Sequence, residues 1–193
     1  MRPLALFVSA ACLVACQKAP APEAPKAAPT PAPAPTPPPA PTVTLPEAPA
    51  LPPVPTGLSP VPSPDENPTT AERAELGWLL FFDPRASKDG SMACAQCHLI
   101  ERAYTSPEAV DTKVGGAKNK RNAPTMTNLG YHPQYYWDGR MPTLEAVSNA
   151  AWKGQLGADP TVVAEALNAV PEYKARFERA FGEPATPETV PRA

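Results

Sequence analysis

Five consecutive residues, Cys94-Ala95-Gln96-Cys97-His98, constrain this chain more than any other stretch. Two thiols three positions apart lie on one helical turn, where both can add to the vinyl groups of a single porphyrin. The imidazole that follows then lies under the ring, with a nitrogen directed at the iron. The motif therefore predicts one covalent haem c, with Cys94 and Cys97 as thioether anchors and His98 as the proximal ligand of the haem iron.

Two other kinds of site contain a C-x-x-C pair. A zinc site needs further ligands, but the chain has no second cysteine pair beyond its first 16 residues, and its only other histidine is His132. A thioredoxin-like redox pair belongs in a βαβ unit, and no such unit is visible in the sequence. The histidine directly after the second cysteine favours haem over both alternatives.

Residues 1–16 are typical of a secretory leader that ends in a lipidation site. The apolar run from Leu4 to Ala15 is shorter than the about 20 residues that a transmembrane helix needs. It leads into Leu13-Val14-Ala15-Cys16, which resembles a bacterial lipoprotein box, so we expect cleavage before Cys16 and lipidation of its thiol. By the same resemblance, Gln17 in place of an Asp after the cysteine implies the outer membrane, with the protein facing the periplasm. The alternative is a signal peptide cleaved elsewhere and an incidental cysteine.

Residues 17–68 form a linker rich in proline and alanine. Of the 31 prolines in the chain, 19 fall between Pro20 and Pro64. Proline fixes φ and removes a backbone donor, so the linker is predicted to be polyproline-like or disordered and to act as a passive tether. The formal net charge of −2 gives no reason to expect nucleic acid as a partner.

The folded unit is predicted over residues 69–182, with a proline-rich tail at 183–193. Helix start and stop signals at Thr70, Pro84, Thr143, Asp159-Pro160, Pro171 and Gly182 mark four helices. The haem motif itself is expected on a further helix, after a loop from Arg85 to Met92. Residues 101–136 show little periodicity, and a loop this long inside a compact domain is predicted to wrap a cofactor. The fold class is therefore all-α, with long irregular loops around the haem.

Three further motifs occur in order along this domain. They are Leu76-Gly77 with Leu80-Phe81-Phe82-Asp83-Pro84-Arg85 ahead of the haem motif, then Arg121-Asn122-Ala123-Pro124-Thr125, then Tyr136-Trp137-Asp138-Gly139-Arg140. Together they resemble the N-terminal haem domain of the bacterial di-haem cytochrome c peroxidase and MauG family. The resemblance implies a cytochrome c-like domain. It also implies reduction of hydrogen peroxide with electrons from a small cytochrome or cupredoxin, or oxidation of an aromatic residue of a partner protein.

The same resemblance implies roles for individual residues. His98 corresponds to the proximal ligand of the peroxidatic haem, and Trp137 to a tryptophan that relays electrons between the two haems of the family. Asn122 corresponds to an asparagine that helps to hold calcium. Arg85 and Arg140 are candidates for pairing with haem propionates, because guanidinium binds carboxylate through two hydrogen bonds. The alternatives are packing for Trp137, a turn for Asn122, and surface ion pairs for the two arginines.

The sequence also departs from the family pattern. We find no second C-x-x-C-H motif. Val147 and Gly157 lie near the positions of the family's catalytic glutamine and acidic residue, and Glu145 is the only carboxylate between Arg140 and Asp159. Peroxide cleavage needs a group that moves a proton, so turnover by this chain alone is expected to be slow.

Two other functions remain open at the sequence level. The first is a mono-haem electron carrier, in which Met126 or Met141 supplies a sixth ligand to the iron. The second is a fragment whose partner domain is lost, which would expose the apolar face that normally meets that domain.

Overall fold

The computed structural model describes residues 44–193 of the chain; the predicted leader, Cys16 and the first part of the linker lie outside this range. The helices are α1 (Ala71–Phe82), α2 (Leu144–Gly154), α3 (Pro160–Asn168) and α4 (Pro171–Phe181). Between them lie long irregular segments with single 3₁₀ turns, and β structure in the described range is limited to isolated bridges. The all-α prediction is confirmed. Within residues 44–193, none of the helices has the length and apolar character needed to cross a membrane.

The helix boundaries follow the local signals in the sequence. The side chains of Thr70, Thr143 and Asp159 each accept a hydrogen bond from a backbone N–H two or three residues later, at 2.9 to 3.3 Å. These bonds satisfy donors that have no partner at a helix N-terminus. Gly182 ends α4 with a φ of +78°, which glycine adopts without steric cost.

The hydrophobic core lies where α1, α3 and α4 meet. Leu76, Leu167 and Phe177 are fully buried there, and burial of each contributes about 1.5–3 kcal/mol relative to exposure. Tyr173 on α4 donates a hydrogen bond at 2.8 Å to Asp83, which follows α1. The core therefore fixes the C-terminal end of α1, from which the chain runs towards the haem motif.

Residues 183–193, predicted as a separate tail, pack against the helices. Val190 is 1% exposed, and Thr189 is also buried. The side chain of Asn168 holds the backbone of Ala185 through two hydrogen bonds, at 2.8 and 3.0 Å. The packed core therefore extends past the boundary predicted at Gly182, because tertiary contacts bury a segment whose composition resembles a linker.

The last part of the predicted linker also contacts the domain. We call residues 59–68 the strap. It contains no helix or strand, but Tyr131 donates to the Ser59 carbonyl at 2.6 Å. At the other end, the Asn67 amide donates to the Glu145 carboxylate at 2.8 Å. The strap is therefore held at both ends against the domain.

Candidate haem site

The sequence predicts a helix for the haem motif, but the motif forms only a single 3₁₀ turn. Residues Cys94–Gln96 make up the turn, and the N–H groups of Cys97 and His98 both donate to the Cys94 carbonyl, at 3.1 and 3.0 Å. Neither cysteine is in a disulfide, and both thiols and the His98 imidazole line the same cavity. The turn therefore brings together the three side chains that the sequence predicts as anchors and ligand.

The orientation of the imidazole is set by a strained loop. His98 Nδ1 lies 2.9 Å from the carbonyl oxygen of Tyr104. A carbonyl only accepts, so Nδ1 carries the proton and the lone pair of Nε2 is left for a metal. Ala103 and Tyr104 have φ values of +54° and +60°, a left-handed conformation that costs about 1–2 kcal/mol per non-glycine residue. Such strain is concentrated at functional sites.

The two thiols are neutral at physiological pH. Burial raises the pKa of Cys94 to about 11. The pKa of Cys97 is also raised, first by burial and then by the neighbouring Asp111 carboxylate. A redox-active C-x-x-C pair needs a lowered pKa, so this environment disfavours the thioredoxin-like alternative. It suits thioether anchors, which carry no charge.

The cavity has a volume of about 1250 Å³. Pockets for drug-sized ligands measure roughly 300–1,000 Å³, so this cavity is large enough for a porphyrin. Leu80 and Phe81 of α1 supply apolar wall, Val147 and Leu156 add to it on and after α2, and the strap forms another side. With two neutral thiols and one imidazole nitrogen available to a metal, the residues present fit haem c.

The two candidate propionate partners lie in different places. Arg140 lines the cavity, with its guanidinium 4.2 Å from the centroid of the Tyr136 ring and 2.5 Å from Asp138. Arg85 does not line the cavity, and it pairs with Asp83 at 2.7 Å. The structure therefore brings Arg140, but not Arg85, to the haem motif.

Trp137 and Asn122 meet at the cavity. Trp137 is 63% exposed, which disfavours the packing alternative, and its indole N–H donates to the Asn122 carbonyl at 2.9 Å. The Asn122 side chain donates to the carbonyls of Ser106 and Glu108 at 2.9 and 2.7 Å. These bonds fix the loop that follows the haem motif. Calcium at Asn122 stays a prediction.

The other candidate residues from the sequence do not all line the cavity. Val147 and Met126 line the cavity, whereas Gly157 and Met141 do not. Glu145 lines it too, but its carboxylate accepts a hydrogen bond from Asn67 of the strap. Val147, which the sequence places near the family's glutamine position, lines the cavity with a side chain that cannot move a proton.

Sequence reasoning missed two parts of the cavity. The first is Asp111, which is 4% exposed, lines the cavity and accepts a hydrogen bond from the Ala123 N–H at 2.8 Å. It lies in the stretch without periodicity, so no pattern marked it as buried. The second is the strap, which composition assigned to the linker.

Comparison with known proteins identifies the same segment. The profile of the family described as "Di-haem cytochrome c peroxidase" matches residues 71–193. Cytochrome-c peroxidase IdrP1 of Pseudomonas sp. (strain SCT) is 37% identical over 143 residues, which cover 73% of this chain and 38% of that protein. Methylamine utilization protein MauG of Methylophilus methylotrophus is 34% identical over 125 residues, covering 64% of this chain and 37% of MauG.

A solved structure shows the same fold. The crystal structure of a MauG-like protein associated with microbial copper homeostasis matches with a TM-score of 0.67 and 31% identity, over 72% of this chain and 43% of that one. The chain spans less than half the length of each of these proteins. The matched segment contains the haem motif and most of the cavity wall. On these grounds, the chain belongs to the di-haem cytochrome c peroxidase and MauG family.

Proposed function

We propose that this chain is a haem c oxidoreductase that reduces hydrogen peroxide with electrons from a small redox protein, a cytochrome c or a cupredoxin. The observation that carries the proposal is the His98 imidazole, held through Nδ1 by the Tyr104 carbonyl with Nε2 left for iron in a porphyrin-sized cavity. The relatives named cytochrome-c peroxidase support the choice of substrate. When bound, the haem supplies the redox-active iron.

The side chains around the cavity have distinct tasks in this proposal. His98 would bind the iron, and Cys94 and Cys97 would hold the porphyrin through thioethers. Arg140, which lines the cavity, would pair with a propionate. Trp137 has an indole that is exposed to a docked donor on one side and lines the cavity on the other, so it is our candidate for the electron path.

Electron and proton supply set the limits on turnover. Reduction of one peroxide to two waters consumes two electrons and two protons. One haem stores fewer electrons than a pair of haems does. The donor must therefore deliver electrons twice in each turnover. Val147 offers no proton, so peroxide cleavage in this chain is expected to be slow.

A second candidate function is electron transfer without turnover. Met126 lines the cavity and Met141 does not, so the structure favours Met126 as the sixth ligand that such a carrier needs. A thioether from Met126 would occupy the iron position that peroxide needs.

The location is part of the proposal. We place the haem domain in the periplasm, held by lipid on Cys16 at the outer membrane, with the linker between anchor and domain. Calcium bound at Asn122 remains an additional proposal. Labelling with a radioactive fatty acid tests the anchor, because Cys16→Ser should remove the label and release the protein.

The deciding experiment uses the full chain matured in a periplasm that attaches haem. Mass spectrometry should show one haem bound through two thioethers, and the ferric spectrum should be high-spin or water-ligated, with consumption of peroxide in the presence of a reduced cytochrome. Two free thiols would refute the haem assignment. A low-spin spectrum whose methionine–iron band disappears in Met126→Ala, but not in Met141→Ala, would replace the peroxidase with the electron carrier.

A further inference from the structure

Two carboxylates are buried in the described part of the domain, and their surroundings differ. Asp83 pairs with Arg85 and accepts a hydrogen bond from Tyr173. Asp111 takes part in none of the ion pairs among residues 44–193. A buried charge without a paired cation is strongly unfavourable, so Asp111 calls for an explanation beyond packing.

Asp111 accepts one backbone hydrogen bond and lies close to a predicted haem anchor. The Ala123 N–H donates to its Oδ2 at 2.8 Å. Its carboxylate also lies close enough to the Cys97 thiol to help raise the pKa of that thiol. Attachment adds the Cys97 sulfur to one vinyl carbon and the thiol hydrogen to the other, so nothing is released. The carboxylate then lies close to the covalent link to the porphyrin.

The haem itself supplies the missing positive charge. A ferric iron in a doubly deprotonated porphyrin ring gives a core with one net positive charge, and adding one electron makes that core neutral. A carboxylate in a low-dielectric cavity stabilises the charged, ferric core more than the neutral, ferrous core. Nearby charge is one of the ways in which a protein sets a haem potential.

We propose that Asp111 is the counter-charge of the ferric haem and lowers its reduction potential. The inference rests on the haem of the proposed function, but it does not require peroxide turnover. Neutralising Asp111 weakens the ferric state more than the ferrous state, so the reduction potential rises.

The test is a spectroelectrochemical titration of the full, haem-loaded chain. Asp111→Asn keeps an oxygen acceptor for the Ala123 N–H and removes the charge, so the midpoint potential should shift upward. Asp111→Glu keeps the charge and should remain close to the natural chain. Glu108→Gln is the matched control, because Glu108 is an exposed carboxylate on the same loop and solvent screens its charge.

The outcomes separate the two proposals. A shift in Asp111→Asn no larger than that in Glu108→Gln would overturn the role of Asp111. Should Asp111→Asn fail to retain haem, Asp111→Ser replaces it in the same comparison, because a serine hydroxyl is also a neutral acceptor. A chain that shows the upward shift but does not consume peroxide keeps this inference and loses the proposed peroxidase activity.

Discussion

The indole N–H of Trp137 donates to the backbone carbonyl of Asn122 at 2.9 Å, and this bond joins two motifs 15 residues apart. Both residues line the haem cavity, and Trp137 is largely exposed. The bond fixes the plane of the indole at the cavity rim without burying it. An exposed aromatic side chain held in one orientation suits the electron path proposed for Trp137.

Replacement of Trp137 tests that path. Trp137→Phe keeps an aromatic ring but is harder to oxidise and loses the N–H donor. We expect peroxide turnover with a protein donor to fall by about tenfold or more, equivalent to at least 1.4 kcal/mol in the barrier. Stability should fall by only about 1 kcal/mol, since one exposed hydrogen bond is lost. Trp78→Phe is the control, because Trp78 does not line the large cavity; an equal loss of turnover there would remove the special role of Trp137.

The contact between Gly130 and Val61 tests the strap. A Cβ added at Gly130 would collide with Cγ1 of Val61. Overpacking costs about 1–3 kcal/mol, and because Val61 is exposed and able to shift we expect Gly130→Ala to cost about 1 kcal/mol. Hydrogen exchange in the strap should become faster.

A second substitution distinguishes this collision from a general loss of stability. Val61→Ala removes Cγ1, so the double variant should regain the exchange rate of the natural chain. Gly154→Ala adds a Cβ in open space and should leave the strap unchanged. Unchanged exchange in Gly130→Ala would show that the strap does not depend on this contact.

The left-handed backbone at Ala103 predicts opposite effects for two substitutions. Ala103→Gly removes the steric cost and should stabilise the domain by about 0.5–1 kcal/mol, net of the extra entropy of unfolded glycine. Ala103→Val should destabilise it by about 1–2 kcal/mol, because a β-branched residue fits this conformation poorly. Thermal unfolding of the haem-loaded protein measures both changes. Ala109→Val lies on the same loop without a positive φ and should have little effect.

The hydrogen bond from Tyr173 to Asp83 predicts a dependence on alkaline pH. Burial, followed by the Asp83 charge, raises the pKa of Tyr173 above its ordinary value of about 10. Above pH about 10 the unfolded chain ionises this phenol while the folded chain keeps the proton. The contribution of the protonated Tyr173 phenol to the free energy of unfolding is therefore complete below pH about 10 and is lost as the pH rises further.

The variant Tyr173→Phe tests the direction of this pH dependence. At neutral pH it should cost about 1–3 kcal/mol, because buried Asp83 loses a donor. Above pH about 10 its free energy of unfolding should decline less steeply than that of the natural chain. Tyr131→Phe, which replaces an exposed phenol, should keep the steep decline. Parallel declines in the natural chain and Tyr173→Phe would contradict the shift in the Tyr173 pKa.

The parts of the fold that are set locally could be predicted from the sequence. Thr70, Thr143 and Asp159 cap the helices that they were predicted to cap, because a cap depends on residues within one turn. The haem motif is local in the same sense. Arg85 shows what residue type alone cannot predict. It is a candidate for pairing with a haem propionate, yet in the structure its guanidinium pairs with Asp83, two positions earlier.

The parts that depend on distant contacts could not be predicted. Asp111 is buried within the loop after the haem motif, where it accepts a hydrogen bond from Ala123, and no periodic pattern in the sequence predicts that burial. The strap and residues 183–193 have the composition of solvated linkers, and only their partners in the domain reveal that they are packed.

The position of the strap has a practical consequence for how the protein is produced. Composition would place the start of the folded unit at Thr69, and a shortened chain beginning there would keep all four helices and the haem motif. It would lack Val61, Pro62 and Asn67, which close one side of the cavity. Such a chain would leave that side of the cavity open to bulk water, so a spectrum or potential measured on it would not describe the full protein.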